Sequence, residues 1–141
     1  MTTTDPKALA RRTLERAARL TQALPLVAAQ QAQAGQLASQ QLTSGPKRAA
    51  GFRGPVTPKL PIGQRSGQLR RGWRRSRLPG GWQGRKAASV ALYNNAHHHV
   101  YVLRPGGTRR MTDRHYWEAQ RAKSRASREA IALRHLRAAM R

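Results

Sequence analysis

The sequence predicts an α+β fold: N-terminal helices, a long basic Pro/Gly-rich arm, a small antiparallel β-sheet and a long C-terminal helix. Three observations predict it. Apolar residues recur at helical spacing at both ends of the chain, four prolines crowd residues 43–64, and apolar and polar residues alternate between residues 65 and 103. The divisions follow from the same features: a helical segment 1–42, an extended basic arm or loop 43–64, and a sheet with its C-terminal helix, 65–141. A chain of 141 residues suits a single domain with a modest core.

The first helix is capped by Thr4 or Asp5, with Pro6 at a position where its missing N–H costs nothing. Ala10, Leu14, Ala17, Thr21 and Leu24 share one face. Pro25 is expected to kink the helix or to start a second one. Val27 to Leu42 is rich in Ala and Gln, with a weak stripe of Val27, Gln31, Ala34, Ala38 and Leu42 that suggests packing on neighbouring subunits or partial exposure. In the arm, Pro46, Pro55, Pro58 and Pro61 forbid both a helix and a central strand. Its Lys47, Arg48, Arg53 and Lys59 suit a segment lying along a partner.

Strand signals follow. GWRRSRL is short and Arg-rich, and Pro79, Gly80 and Gly81 form a turn before Trp82. In ASVALYNN, Val90 and Leu92 share a face, with Ala91 and Tyr93 on the other. Asn94 and Asn95 suit a turn, and HHHVYVL alternates again, Val100 and Val102 against His99, Tyr101 and Leu103. The last helix spans 112–140, capped by Thr112 or Asp113. Its apolar stripe of Tyr116, Ala119, Ala122, Ala126, Ala130, Leu133, Leu136 and Met140 is expected to pack on the sheet.

Charge bounds the function. The chain carries 28 Lys and Arg against five acids, a formal net charge of +23, and most of the cations are Arg. Self-repulsion on this scale calls for a partner of opposite charge. The Arg fork pairs with carboxylate and phosphate alike, so it does not choose between protein and nucleic acid. The absence of cysteine excludes disulfides and thiolate metal sites. No apolar run reaches membrane-spanning length, and the N-terminus lacks a basic-then-apolar signal pattern, so a cytoplasmically made protein is expected. An Ala-rich stripe also argues against a membrane-surface helix.

The candidate interface residues are Arg48, Phe52 and Arg53 in the arm, Arg65, Arg70, Arg71, Trp73, Arg74 and Arg75 around RRGWRR, and the aromatics Trp82 and Tyr101. A strand through RRGWRR puts Arg71 and Trp73 on one face, with Arg75 and Arg77 beyond. That is a phosphate-and-stacking surface, or a protein interface where Arg meets carboxylates. His97 and His99 would share a strand face, but no HExxH or similar spacing supplies further ligands, so no metal is assigned. The acids Asp5, Glu15, Asp113, Glu118 and Glu129 are scattered, and Ser66 lies outside any GxSxG. No catalytic residue, cofactor or enzyme activity is assigned. Gly106, Gly107 and Thr108 read as a strand-to-helix turn.

The segment LPIGQRSGQLRRGW resembles a motif of tailed-bacteriophage neck proteins, the tail-completion or head–tail joining family of minor tail components. Pro61, Ser66, Gly67, Leu69 and Arg70 stand in the motif's places, and Trp73 opens the strand that follows. Asn95, the pair Tyr101 and Val102, and the pair Gly107 and Thr108 match its second half. Leu103 and Arg104 stand where that family carries an acid, and the 43–60 insertion and the Arg density are further departures. The resemblance implies a structural virion protein of the neck or tail. It would form a ring, often of six copies and in some cases twelve, between connector and tail. Its implied partners are itself, the acidic surfaces of portal-side connector and tail proteins, and DNA in the channel, with no membrane. Charge reversal at Arg71 and Arg75 is then expected to block assembly without unfolding the subunit. The alternative is a basic nucleic-acid-binding protein, a packaging or ribosome-associated factor, whose affinity falls steeply with salt.

Overall fold

A computed structural model describes residues 5–47, 60–63, 66–77, 90–107 and 114–141. They form helix α1 (Pro6–Leu42), a one-turn helix α2 (Gln68–Arg71), strands β1 (Trp73–Arg77) and β2 (Val90–Asn94), a one-turn helix α3 (His99–Val102) and helix α4 (Tyr116–Met140). The architecture is mixed: helices, a small two-stranded antiparallel sheet and a long C-terminal helix. The prolines Pro55 and Pro58, most of the basic arm, and the Pro79–Gly81 turn lie outside the described residues, as do the expected caps Thr4, Thr112 and Asp113.

Asp5 caps α1 by accepting a hydrogen bond from the Lys7 backbone N–H at 3.0 Å, and Pro6 occupies the first turn. The helix then runs through Pro25 without a break, so the expected second helix is not formed. Pro25 removes one ladder bond, to the Thr21 carbonyl. The Ala- and Gln-rich run after it, held against α4, outweighs that loss. At its far end the Thr43 hydroxyl donates to the Ser39 carbonyl (2.8 Å), and the chain returns to pair across it. Ile62 N–H donates to the Leu42 carbonyl (2.7 Å) and Gly45 N–H to the Ile62 carbonyl (2.9 Å). A Cβ at Gly45 would lie 2.6 Å from the Ile62 carbonyl oxygen, a backbone atom, so this close approach demands glycine.

Strands β1 and β2 pair from Trp73↔Asn94 to Arg77↔Val90. Alternation sends Trp73, Leu92 and Asn94 inward against the end of α1, where the Gln36 side-chain amide donates to the Trp73 carbonyl at 3.0 Å. The core is Ile62, Leu69, Trp73, Ala96, Leu103 and Tyr116, with Leu42, Leu60, Leu92, Val102 and Trp117 packed around it. Its centre is aromatic. Trp73 stacks on Tyr116 (centroids 5.8 Å apart, planes at 8°), and Trp117 meets both edge-on. The two indole N–H groups are satisfied, by the Thr43 hydroxyl (3.3 Å) and the Leu103 carbonyl (3.0 Å).

Two expectations are corrected here. HHHVYVL is not a strand: His97 and His98 form a turn and His99–Val102 form α3. The buried Asn94 side chain ends β2, accepting from the Ala96 N–H at 2.8 Å, and that bond starts the turn. His97 and His99 therefore do not share a strand face. The second correction concerns α4, whose N-terminal residue before the helix is His115 in the left-handed region (φ 47°). Of its apolar stripe, Tyr116 is buried and Ala119 half-buried, while Ala122, Ala126, Ala130, Leu133, Leu136 and Met140 are exposed. The face that packs carries Tyr116, Gln120, Ser124, Ile131, His135 and Ala139, and it lies on α1 rather than on the sheet.

Hydrogen bonds select that rotation. The Gln120 amide donates to the Gly35 carbonyl (3.2 Å), the Gln31 amide donates to the Arg128 carbonyl (3.3 Å), and Gln30 Oε1 accepts from Arg134 (2.8 Å) and meets the His135 ring (3.0 Å). As α1 numbers fall, α4 numbers rise, so the two helices are antiparallel. The α1 face is itself polar and small (Gln31, Gly35, Ser39), and an apolar α4 stripe laid on it would leave those amides without partners. Tyr116 and Trp117, locked into the core, fix the turn of the helix from which the rest follows.

Candidate functional site

The motif segment builds a tight corner. Gly67, in the left-handed region at φ 72°, leads into α2, where Leu69 is buried and Arg70 and Arg71 are exposed. Gly72 follows, and β1 begins at Trp73. Asn94 locks the corner. Its side-chain amide donates to the Leu69 carbonyl at 2.7 Å while its carbonyl oxygen accepts from Ala96. A Cβ at Gly72 would collide with Asn94 Oδ1 and press on the Gln68 carbonyl oxygen at 3.0 Å, so the corner closes only around glycine. The Asn95 N–H donates to the Gly72 carbonyl (3.0 Å), which ties the same two segments a second time.

Four exposed arginines surround the corner, Arg74 and Arg75 on opposite faces of the strand. Arg71 donates to the Ser66 carbonyl (2.9 Å), Arg74 to the Arg71 carbonyl (2.7 Å), and Arg75 reaches the Ala29 carbonyl of α1 at 3.5 Å; Arg70 is exposed beside them. These contacts leave further N–H groups of each fork outward. Trp73 does not join this surface. It is fully buried at the centre of the core, so the expected interleaving of Arg71, Trp73 and Arg75 is not formed. The chain leaves the strand path at Gly72, which puts Arg71 on a helix turn and Trp73 inward. The exposed aromatic beside Arg74 is Tyr93, directly across from it in the ladder and 45% exposed. Alternation from Leu92 inward to Tyr93 outward is the signal in the sequence that marks it.

Other expected site residues fall elsewhere. Tyr101 is exposed on α3, Val102 half-buried beneath it, and Pro61, Ser66 and Asn95 are exposed. Gly107 lies in the turn after α3 with φ 71°. Arg48, Phe52, Arg53, Arg65, Trp82 and Thr108 lie outside the described residues. Asn94, read with Asn95 only as suiting a turn, holds the corner through its side chain, while Asn95, the residue matched to the motif, is exposed. The two asparagines are indistinguishable until the strand register is known.

Charge is spread along both long helices as well. Glu15 is engaged by Arg11 (3.2 Å) and Glu129 by Arg125 (2.7 Å), both exposed pairs at i,i+4. Glu129 accepting its hydrogen bond holds the Arg125 guanidinium above its already high ordinary value. Burial raises the Tyr116 hydroxyl well above the usual tyrosine range, an effect that the adjacent Ser39 hydroxyl reduces. The two hydroxyls lie side by side without closing a bond of good geometry. Among the described residues no group of three or more His, Asp or Glu side chains converges on a point that could hold a metal. Among them, too, no helix is long and apolar enough to cross a membrane.

No family model, no curated protein and no solved structure matches this chain.

Proposed function

We propose that this chain is a structural, non-enzymatic subunit of a tailed-bacteriophage neck, a tail-completion or head–tail joining component acting as an oligomeric ring between connector and tail. The observation that supports it most is the surplus of exposed apolar side chains on its long helices. Leu9, Leu14, Leu24 and Leu26 on α1 and Leu133, Leu136 and Met140 on α4 are each at least 44% exposed. Helix α1, with 37 residues, is about 55 Å long, against about 37 Å for the 25 residues of α4. Residues 9–19 are exposed throughout. A helix of that length left uncovered gains its burial from neighbouring copies. The Arg-rich corner and the basic Pro/Gly-rich segment 43–64 then reach acidic neighbours.

Native mass spectrometry of the purified chain tests the reading. Multiples of six or twelve copies support it, and a monomer at every concentration overturns it. Arg71→Glu with Arg75→Glu keeps the fold, because both side chains are exposed, and blocks docking onto acidic partner surfaces.

A second reading rests on a separate observation, the exposed Arg74–Tyr93 pair, with Arg74 held against the carbonyl of the exposed Arg71. That surface suits phosphates with a stacked base, as in a packaging or ribosome-associated nucleic-acid-binding protein. Binding to duplex or single-stranded probes at two salt concentrations separates the two. A steep log–log loss with salt that Tyr93→Ala deepens favours nucleic acid, and a loss insensitive to Tyr93 favours the neck subunit.

A further inference from the structure

A groove of about 430 Å³ runs between α1 and α4. Ala34, Ala38 and Ile131 give it a small, apolar floor, and Leu37 stands in it 53% exposed. Two cations line it, Lys123 and Arg134, and none of the residues that line it is acidic. The two cations stand eleven residues apart on α4, three helical turns, so they share a face at a spacing of ~16 Å. The outer face of α4 carries the complementary pattern. Glu118 and Glu129 are both exposed and are also eleven residues apart, so they too share a face at ~16 Å. Between them that face presents the exposed Ala122 and Ala126. Arg125 borders this row and holds one oxygen of Glu129 at 2.7 Å, which leaves the second oxygen to accept. Arg137 lies about two turns beyond Glu129.

We infer that the α1–α4 groove of one copy receives the outer face of α4 from a second copy, Glu118 and Glu129 of the entering helix meeting Lys123 and Arg134. The inference rests on the proposed oligomeric role and names the surfaces that carry it. The equal spacing decides the occupant, because two rigid helices with charges at the same interval engage both pairs at once. Leu37 of the receiving copy then lies over Ala122 and Ala126 of the entering one, where alanine lets the helices approach. Nucleic acid supplies negative charge to Lys123 and Arg134 but no apolar cover for Leu37 and Ile131. Both copies carry a net +23, and salt at ~0.15 M screens that long-range repulsion beyond ~8 Å while the close pairs remain. The groove side and the outer face lie about 120° apart around α4, so one copy gives and receives at once. Such a contact is heterologous: it closes into a ring or grows into a filament.

The test follows self-association of the full-length chain by analytical ultracentrifugation over a concentration series at ~0.15 M salt. Glu118→Lys with Glu129→Lys reverses the entering charges, and Lys123→Glu with Arg134→Glu reverses the receiving ones. All four side chains are exposed, so circular dichroism of both variants should match the parent. Arg134 also donates to Gln30, so Lys123→Glu alone is the companion that leaves the α1–α4 seam untouched. Each reversed variant is expected to associate roughly tenfold more weakly than the parent, and Lys123→Glu alone to shift in the same direction. An equimolar mixture of the two reversed variants is expected to recover the parental association, because their charges complement each other again. Parental association in either reversed variant overturns the inference and leaves an oligomer held by other surfaces. A mixture that associates no better than its components overturns it as well. A parent that stays monomeric at every concentration overturns both the groove contact and the ring. Association that both reversals weaken and the mixture restores, but that never closes at six or twelve copies, refutes the ring and leaves the groove contact standing.

Discussion

Removing the indole of Trp73 should cost more stability than any other single truncation in the described core. The ring is wholly buried, stacks on Tyr116 at 5.8 Å and touches Trp117 edge-on at 6.2 Å. Trp73→Ala loses the transfer free energy of the largest side chain and leaves a cavity, about 3–5 kcal/mol in sum. It also breaks two aromatic pairs, each contributing about 0.5–1.5 kcal/mol beyond area. Against a total stability of about 5–15 kcal/mol, the alanine variant stands at the edge of unfolding. Trp73→Phe is the informative companion. It keeps one ring against Tyr116 and loses the N–H donated to Thr43, whose hydroxyl remains bonded to the Ser39 carbonyl. Only one hydrogen bond and part of the volume are lost, about 1–2 kcal/mol. Guanidinium denaturation followed by far-UV circular dichroism gives both values. A Trp73→Ala cost below about 1 kcal/mol, or equal costs for the two variants, would refute the placement of this ring at the centre of the core.

Other predictions test the corner, the α1–α4 seam and a buried hydroxyl. Asn94→Ala should cost about 1–3 kcal/mol in urea melts by orphaning the buried Leu69 carbonyl and Ala96 N–H. Gly72→Ala should cost about 1–3 kcal/mol through its collision with the same side chain, so the double variant should fall short of the sum of the singles; strict additivity would contradict the contact. Gly35→Leu should lower the melting temperature by wedging α4 off α1, since even a Cβ there sits 3.0 Å from the Gln120 amide nitrogen. The Tyr116 hydroxyl ionises less readily folded than unfolded, so its contribution is present below the ordinary tyrosine value near ~10 and is lost as pH rises above it. Denaturation midpoints should therefore fall above that pH in the parent and fall less in Tyr116→Phe.

Much of the fold was legible because its signals are local. Asp5 and Pro6 announce the start of α1, and Val90 to Tyr93 alternate as a half-buried strand does. Other features depended on neighbours. HHHVYVL alternates like a strand, but Asn94 turns the chain at Ala96 and the backbone winds into α3 instead. In the candidate site, the exposure of Arg70, Arg71, Arg74 and Arg75 followed from charge alone. Their aromatic companion did not, since Gly72 shifts the chain off the strand path and buries Trp73 while Tyr93 stays outside.

By itself the sequence determined the long helices at the two ends, the alternation of β2 and the excess of positive charge, because capping, helix propensity, strand alternation and ionisation act over a few residues. Only the tertiary structure decided which face of α4 is inside. The apolar stripe from Ala122 to Met140 has the helical period of a buried face, yet it lies outside. The polar row Gln120, Ser124 and His135 is covered by α1, because the Gly35 carbonyl and Gln30 offer Gln120 and His135 hydrogen bonds that an apolar face could not take up. Periodicity measures that a helix has two unlike faces, and the chemistry of the neighbour chooses between them.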